Sequence, residues 1–345
     1  MASQSAPEES LKDALGRPLK DLRISVTDRC NFRCSYCMPL EKYEWIDRRE
    51  ILSFEEITRL AKLFVQLGVE DVRLTGGEPI LRHGLEQLVV QLARLDGLKD
   101  LCLTTNASLL GQKAHALAQA GLKRINVSLD TINKEKFQQM TRRDDLADVL
   151  GGIFGAMRYG IKPVKLNSVI QRGVNDDDIL ELVEFSRQNG FWIRFIEYMD
   201  VGNSNNWVSD TMVSKKEILE KINERYPLQE IGRNDESAPA VNYSFLDGIG
   251  KVGVIASVTE PFCSGCTRGR LTADGKLVTC LFSDQGHDLK KLIRQGASDQ
   301  DIIGAIRLAW STRKDRYSEE RLEALKSGEY RPDSRKKMEM ISLGG

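Results

Sequence analysis

Three cysteines lie close together near the amino terminus of the chain. Cys30, Cys34 and Cys37 have the spacing C-x3-C-x2-C, and thiolates spaced this closely can ligate neighbouring irons of one iron–sulfur cluster. In a cubane cluster, three thiolates leave one iron open, which suits substrate or cofactor chemistry better than simple electron transfer. A tetrahedral zinc site would need a fourth ligand, and the first histidine of the chain is His83. The spacing therefore predicts a cluster with an open iron.

A second group of three follows near the carboxyl terminus: Cys263, Cys266 and Cys280. Together with His287 these residues also match a Cys3His zinc site, and ligand count leaves that alternative open. Arg268 and Arg270 occupy alternate positions of a predicted strand, so their side chains point to one face. Because guanidinium groups bind phosphate and carboxylate bidentately, the second group predicts a metal site beside an anionic ligand.

Cysteine usage and charge balance limit the class of protein. The chain has 345 residues and seven cysteines without a secretory signal, which argues against a disulfide framework and indicates a reducing, cytoplasmic location. Fifty basic residues balance fifty acidic ones, so no overall field attracts nucleic acid or a membrane. No apolar run approaches the roughly 20 residues of a membrane span. Residues 1–15 are expected to be a disordered leader, and Cys102, inside an apolar run, is expected to be a buried structural thiol.

The elements that must position these groups alternate along the first 200 residues. Six runs rich in β-forming residues are separated by helical patterns, which predicts a parallel sheet with right-handed crossovers. The runs are 22–27, 71–75, 101–104, 124–129, 164–170 and 192–198. An open doubly wound sheet and a barrel both fit this pattern, but six strands fall short of the eight of a full barrel.

Several polar motifs follow the predicted strands directly, at the edge where α/β proteins bind ligands. They are the Cys30 loop, Thr75–Pro79, Thr104–Asn106 and Ser128–Asp130. The pattern changes after Met199, where a loop rich in glycine, asparagine and serine marks a boundary. A region of helices and short strands, 201–310, follows, with a hairpin predicted at Asp274-Gly275. Residues 311–345 form a charged tail that ends in Gly344-Gly345, and within it 311–337 are strongly charged and expected to be mobile.

Two of these motifs resemble a known superfamily. The C-x3-C-x2-C loop at the end of the first strand, with Tyr36 before its last cysteine, is similar to the cluster motif of radical S-adenosylmethionine (SAM) enzymes. Gly76-Gly77-Glu78-Pro79 resembles the motif by which that superfamily contacts the SAM amino group. Glycines also allow backbone to approach a ligand closely.

The C-terminal cysteines and the Arg-x-Arg between them make the resemblance more specific. With the stretch Arg316–Arg321 and the terminal Gly-Gly, they are similar to the GTP 3′,8-cyclase family of molybdenum cofactor biosynthesis. The likeness runs from about residue 16 to residue 345. It implies an α/β fold: an incomplete (βα)6 TIM-like barrel over 16–200, with a C-terminal Fe–S-binding α+β extension over 201–310 that covers the open side.

The resemblance also implies a reaction, cofactors and partners. Two [4Fe–4S] clusters and SAM would generate a 5′-deoxyadenosyl radical that converts GTP to (8S)-3′,8-cyclo-7,8-dihydroguanosine 5′-triphosphate. The partners implied are a downstream cyclic pyranopterin monophosphate synthase, an electron donor such as flavodoxin or ferredoxin, and a second copy in a homodimer. Another radical SAM enzyme, acting on a peptide, is the alternative. A non-enzymatic alternative is an electron carrier or a zinc-stabilised binding module.

Site residues carry over position by position. The catalytic set implied is Cys30, Cys34, Cys37, Arg268 and Arg270, with Cys263, Cys266 and Cys280 as ligands of the substrate cluster. The SAM contacts implied are Tyr36, Gly77, Ser128 and Met199. The GTP contacts implied are Arg23, Arg73, Thr104, Lys165, Arg268, Gly269 and Arg270. Strand alternation supports one of these independently, because Arg23, Ser25 and Thr27 share a face of the first strand. Ala107 is a departure, since the family usually has glycine there.

Overall fold

A computed structural model describes residues 11–38, 43–203, 207–331 and 336–344. Six parallel strands form the centre of one twelve-stranded sheet. They are β1 (Asp21–Ser25), β2 (Asp71–Thr75), β3 (Asp100–Thr105), β4 (Arg124–Ser128), β5 (Val164–Ile170) and β6 (Trp192–Glu197). Each pairs in parallel with the next along the chain, which confirms the predicted α/β pattern.

Helices supply the crossover connections that parallel neighbours require. They are α1 (Phe54–Gln66), α2 (Leu85–Ala93), α3 (Leu110–Gln119), α4 (Lys134–Thr141), α5 (Leu146–Arg158) and α6 (Ile179–Asn189). A capping box begins α1: Ser53 Oγ accepts from Glu56 N at 3.1 Å, and Ser53 N donates to Glu56 Oε2 at 2.7 Å. Gly190 ends α6 in the left-handed conformation, at φ 70°, where glycine carries no Cβ penalty.

The two faces of the sheet differ in character. Leu22 and Ile24 of β1 and Leu74 of β2 are fully buried and belong to one apolar cluster with the helices. Burying each such side chain contributes about 1.5–3 kcal/mol. The alternate positions, such as Arg23 and Arg73, carry polar side chains on the opposite face. Helix packing therefore stabilises one face and leaves the other for polar residues.

The C-terminal strands extend both edges of this same sheet. β10 (Arg268–Leu271) pairs in parallel with β1, and β9 (Lys251–Ile255) pairs in parallel with β6. The remaining strands are β7 (Leu228–Gly232), β8 (Val241–Phe245), β11 (Lys276–Val278) and β12 (His287–Asp288). The hairpin predicted at Asp274-Gly275 is confirmed, since β10 and β11 are antiparallel neighbours. The region after residue 200 thus brings the second cysteine group beside the first strand.

Both ends of the chain are more ordered than the sequence suggested. Residues 1–10 lie outside the described residues, but the leader predicted to reach residue 15 is wrong for 11–15: Lys12 bridges Pro18, and Asp13 is buried. The prediction that 311–337 is mobile is also wrong for its described part, because Arg313, Arg321 and Lys337 are buried. Their charges are paired inside the fold, so these residues are buried although their sequence is typical of a solvated segment.

Helices of the C-terminal region pack around these buried charges. They are α7 (Lys215–Asn223), α8 (Leu289–Arg294), α9 (Asp299–Ser311), α10 (Tyr317–Ser327) and α11 (Met340–Leu343). Within the four described ranges, no helix combines the length and apolar character that crossing a bilayer would require.

Candidate active site

Three arginines stand side by side on the polar face of the sheet. The strand register places Arg23 opposite Arg270 on one side and opposite Arg73 on the other. Burial, followed by the charges of Arg270 and Arg73, holds the pKa of Arg23 well below its usual value. Burial and the neighbouring Arg268 also lower the pKa of Arg270, to about 10. The pairing of β1, β2 and β10 thus brings together four predicted site residues: Arg23, Arg73, Arg268 and Arg270.

A second row of polar residues crosses the neighbouring strands. Thr104 is paired with Asn126, and Asn126 with Lys165. The ammonium group of Lys165 lies over the Trp192 ring at 4.8 Å from its centroid. Burial, then the charges of Arg194 and Arg124, lowers the pKa of Lys165 to about 7.

Arg194 joins these cations and was missed by the sequence analysis. Burial, followed by the charges of Arg73 and Arg124, lowers the pKa of Arg194 to about 10, so it lies within electrostatic range of the arginine row. The signal that could have found it is the one that supported Arg23: a charged residue at an alternate position inside a β-run, here 192–198.

Many polar atoms on this face have no hydrogen-bond partner among the described residues. They are Nε of Arg23, Arg73 and Arg194, Oγ1 of Thr104, and Oδ1 of Asn126 and Asn167. A buried donor or acceptor left unpaired costs about 1–3 kcal/mol. A cleft that gathers repelling cations with free donors is therefore suited to a polyanionic ligand that would pair them.

The first cysteine trio lies in a loop held against the end of α4. Arg33 N donates to the carbonyl of Thr141 at 3.0 Å, and Ser35 N to that of Met140 at 3.2 Å. Burial, followed by the charge of Glu78, raises the pKa of Cys30 to about 11. Burial and the Cys30 thiol raise the pKa of Cys37 to about 12.

All three thiols are partly buried, and Cys30 opposes the ionisation of Cys34 and Cys37. Such a group fits a site whose ligand supplies positive charge, as the irons of a cluster do. Within the described ranges, no three His, Cys, Asp or Glu side chains are arranged to hold a single metal ion, and His287 is exposed on β12. A cubane spreads its sulfur ligands over separate irons, so its ligands need not converge on one point.

Glycines let the second motif lie directly on the cluster loop. Gly77 N donates to the carbonyl of Thr27 at 2.8 Å. A Cβ on Gly77 would lie 2.2 Å from the Arg29 carbonyl oxygen. Glu78 is buried and accepts hydrogen bonds from Thr105 Oγ1 and Asn106 N, each at 2.7 Å. Burial raises the pKa of Glu78 to about 7. The Glu78 side chain thus connects the ends of β2 and β3, while the backbone of Gly77 lies against the cluster loop.

Two of the four predicted SAM contacts line one cleft. Tyr36 and Met199 border it, together with Val169 and Met340, whereas Gly77 and Ser128 are not among its lining residues. Tyr36 donates to Asp130 Oδ2 at 2.7 Å. The sequence noted Asp130 only as part of a strand-end motif.

The second cysteine trio is next to the arginine row. Cys263 and Cys266 form a turn, with Cys266 N donating to the Cys263 carbonyl at 3.1 Å, immediately before β10. Burial acts to raise the pKa of Cys266, but the charges of Arg268 and Arg313 outweigh it and bring the pKa to about 6. A nearby thiolate and the arginines thus stabilise one another.

Gly269 points away from this face. A Cβ there would lie 3.1 Å from Leu19 Cδ1 on the apolar side, so only its backbone is available to a ligand. The tail, in contrast, reaches the polar face: Arg270 Nη1 donates to the carbonyl oxygens of Gly344 and Leu343 at 2.7 and 3.3 Å. Gly345, the other half of the predicted Gly-Gly motif, lies outside the described residues.

Comparison with known proteins agrees with both cysteine motifs. The Radical SAM superfamily matches residues 24–186, and the family Molybdenum Cofactor Synthesis C matches residues 191–319. A GTP 3′,8-cyclase of Acidothermus cellulolyticus is 49% identical over 94% of this chain and 92% of its own. That of Aquifex aeolicus is 46% identical over 97% of this chain and 100% of its own. The chain belongs to the GTP 3′,8-cyclase family.

Solved structures agree at the level of fold. The crystal structure of Streptococcus suis SuiB bound to S-adenosylmethionine has a TM-score of 0.59 and 17% identity, and covers 84% of this chain and 68% of that one. SuiB bound to its precursor peptide SuiA gives 0.54. At this identity the likeness shows a shared fold alone. Family membership therefore rests on the cyclase relatives.

Proposed function

We propose that this enzyme converts GTP to (8S)-3′,8-cyclo-7,8-dihydroguanosine 5′-triphosphate, the first step of molybdenum cofactor biosynthesis. The observation that carries the proposal is the row of Arg270, Arg23 and Arg73 on the polar face, in a member of the cyclase family. A triphosphate carries several negative charges, and bidentate guanidinium contacts would satisfy the unpaired donors of this row. A neutral peptide would leave them repelling one another.

The donor sets support two [4Fe–4S] clusters, one at each cysteine trio, with SAM on the first. When bound, the first cluster and SAM would supply the radical chemistry that activates C3′ of GTP; closing the C3′–C8 bond to the dihydro product would also take up one electron, from the donor protein proposed below, and one proton. Tyr36, Gly77, Ser128 and Met199 would hold SAM. Tyr36 is already oriented for this by its hydrogen bond to Asp130.

The chain's cations bind and orient the nucleotide in this proposal. The residues assigned to GTP are Arg23, Arg73, Thr104, Lys165, Arg194, Arg268 and Arg270, with Gly269 contributing backbone only. Arg268 and Arg270 lie on the strand that follows Cys266, so a base at the second cluster and a triphosphate on the arginine row would occupy one continuous face. Holding C3′ and C8 in reacting geometry is how such a site lowers the barrier.

The architecture proposed is an incomplete (βα)6 barrel over 16–200, with residues 201–310 completing the cluster and GTP region. Its support is the parallel order of β1 to β6 and the pairing of C-terminal strands at both edges. The partners proposed are a cyclic pyranopterin monophosphate synthase that consumes the product, a flavodoxin or ferredoxin as electron donor, and a second copy of the chain.

Anaerobic incubation of the reconstituted enzyme with reductant, SAM and one nucleoside triphosphate at a time tests the activity. GTP is expected to stimulate SAM cleavage and to yield the cyclised nucleotide by mass analysis, while ATP does neither. Cys30→Ser is expected to abolish SAM cleavage. Cys102→Ser should retain the iron content, because Cys102 is a buried thiol outside both trios. SAM cleavage that GTP leaves unchanged, with no cyclised product, would reject the proposal.

A further inference from the structure

Four charged residues from the two ends of the chain enclose the second cysteine trio. We call Asp13, Arg17, Arg313 and Asp315 the terminal shell. The side chains of Asp13, Arg17 and Arg313 are 0%, 3% and 1% exposed, and that of Asp315 is 24% exposed. Groups of this kind are almost never so deeply buried unless they are paired, so their placement requires a structural reason.

The shell contacts the cysteine loops directly. Arg17 Nη1 donates to the Cys263 carbonyl at 2.8 Å. Arg313 Nη1 donates to the Cys266 carbonyl at 2.8 Å, and its Nη2 to the Cys266 sulfur at 3.2 Å. Asp315 Oδ2 accepts from Thr279 Oγ1 at 2.7 Å, immediately before Cys280. The shell therefore holds the Cys263–Cys266 turn at both cysteines and the second segment at the residue before Cys280.

Asp13 fixes the orientation of both arginines. Its Oδ2 accepts from Arg17 Nε at 2.6 Å and from Arg313 Nη1 at 3.2 Å. The Trp310 ring lies 4.5 Å from the Arg313 guanidinium, and Trp310 Nε1 donates to the Arg17 carbonyl at 3.1 Å. The Asp13 carboxylate thus contacts the edge of the Arg313 guanidinium, and the Trp310 ring contacts its face. Together these contacts fix the direction of the N–H group that donates to the Cys266 sulfur.

We propose that Arg313 is a positioning residue whose hydrogen bond to the Cys266 sulfur, clamped by Asp13, raises the reduction potential of the second cluster. The inference rests on the proposed function, because it requires a cluster at these cysteines. Hydrogen bonds to ligating sulfurs tune cluster potentials, since a donor beside the sulfur stabilises the electron added on reduction. Arg313 places both a directed N–H and a positive charge beside the Cys266 sulfur, and Arg313→Lys, which keeps the charge, separates the two contributions. Lysine cannot reproduce a planar fork that serves a carbonyl and a sulfur together.

A chain that carries only the second cluster isolates the effect. The parent is the full-length protein with Cys30→Ser, Cys34→Ser and Cys37→Ser, reconstituted anaerobically. Arg313→Gln and Arg313→Lys are compared with Arg59→Gln, in which the arginine replaced hydrogen-bonds Asp299 and Ala297 and no cysteine. Iron and sulfide content and the midpoint potential, followed by electron paramagnetic resonance during a redox titration, are the readouts.

Arg313→Gln is expected to shift the midpoint to a more negative potential, Arg313→Lys to shift it less, and Arg59→Gln to leave it at the parent value. A parent-like potential in Arg313→Gln with full iron would overturn the inference alone. If Arg313→Gln fails to assemble its cluster, the potential of Arg313→Lys decides the question, because lysine keeps the charge of arginine but not its planar fork. A parent-like potential in Arg313→Lys also overturns the inference. Absence of iron from the parent would overturn the second cluster itself, and this inference with it.

Discussion

Arg270 donates a hydrogen bond from Nη1 to the carbonyl oxygen of Gly344, 2.7 Å away and 74 residues along the chain. The contact joins a cation proposed for the triphosphate to the last described residue of the tail. Ser25 Oγ adds a hydrogen bond to the Ser342 carbonyl at 3.3 Å. The tail therefore lies across the ends of β1 and β2, on the face where the substrate is proposed to bind.

Gly344→Ala should displace the tail from this position. Gly344 has φ 67°, and a Cβ would lie 2.2 Å from Thr75 Cγ2. Because misplacing groups at a site by about 1 Å can cost roughly 100-fold in rate, we expect GTP-stimulated SAM cleavage to fall roughly 10- to 100-fold. Gly328→Ala is the matched control: Gly328 has φ 72°, but a Cβ there would meet nothing within 4 Å. Equal losses in both variants would show that backbone strain, and not the collision, is responsible.

Arg194→Gln should weaken GTP binding more than it slows the chemical step. A hydrogen bond to a charged group contributes about 1.5–3 kcal/mol, so the KM for GTP is expected to rise roughly 10- to 100-fold with a smaller change in kcat. Arg158→Gln, on the exposed surface of α5, is the control and should leave both constants unchanged. A wild-type KM in the Arg194 variant would remove this residue from the nucleotide site.

Lys165 should make GTP binding take up a proton. Burial lowers the pKa of free Lys165 to about 7, so at pH 8 the amine is mostly neutral. A bound triphosphate favours the ammonium form and raises that pKa. Calorimetry at pH 8 in buffers of different ionisation enthalpy should therefore report about one proton taken up, and affinity should fall as the pH rises from 7 to 9. Lys165→Met should lose both effects, whereas proton uptake that persists in it would assign the proton to another group.

The same shift has a defined sign for stability. The pKa of Lys165 is lower in the folded chain than its usual value of about 10.4, so the unfolded chain binds more protons between about pH 7 and 10. The contribution of this residue to the free energy of unfolding therefore becomes more favourable as the pH rises through that window. Lys165→Met should flatten this part of the profile in denaturant unfolding of the nucleotide-free protein.

Asp200→Asn should loosen the segment that carries the tail. Asp200 Oδ2 accepts from Lys337 Nζ and Tyr330 Oη, each at 2.6 Å, and Arg321 also donates to this carboxylate. Burial acts to raise its pKa, but Arg321 and Lys337 outweigh this and hold the pKa well below its usual range. Removing one partner of a buried ion pair costs about 3–5 kcal/mol.

Tryptic cleavage at Lys337, which is buried in the native protein, should accelerate in this variant. Glu220→Gln removes only an exposed pair with Lys216, worth about 0–1 kcal/mol, and should cleave at the wild-type rate. Because the pKa of Asp200 is depressed, its stabilisation is present above the usual carboxyl pKa of about 4 and is lost on further acidification. Acid unfolding of Asp200→Asn should therefore show a weaker dependence on pH. Wild-type cleavage at Lys337 would contradict the anchoring role.

Ala107→Gly should stabilise the protein. Ala107 has φ 63°, and a residue with a Cβ in that conformation carries a strain of about 1–2 kcal/mol. Glycine removes this strain, but its greater flexibility in the unfolded chain offsets about 0.5–1 kcal/mol of the gain. A net gain of up to about 1 kcal/mol in the free energy of unfolding is expected from thermal or denaturant unfolding. Ala116→Gly, inside α3, should instead destabilise by a similar amount. A loss of stability in both variants would show that packing of the Ala107 methyl outweighs its backbone strain.

The sequence by itself determined the features that depend on local spacing. Cys30, Cys34 and Cys37 are too close together to serve separate sites, and the alternation of Arg23 with Ile24 already separates a polar from an apolar face. The six β-runs and the α1 cap follow from periodicity and capping residues. Each of these inferences spans at most one element or one βα turn.

Only the tertiary structure decided which distant segments meet. Pairing of β10 with β1 puts Arg270 beside Arg23, and the fold carries Asp13 to Arg313 and the tail to Arg270. The sequence analysis interpreted both ends of the chain as mobile because charged residues are solvated unless a partner neutralises them. Here the partners of Arg313, Arg321 and Lys337 lie 300, 121 and 137 residues away. Burial of a charge depends on long-range pairing, which no local pattern of residues encodes.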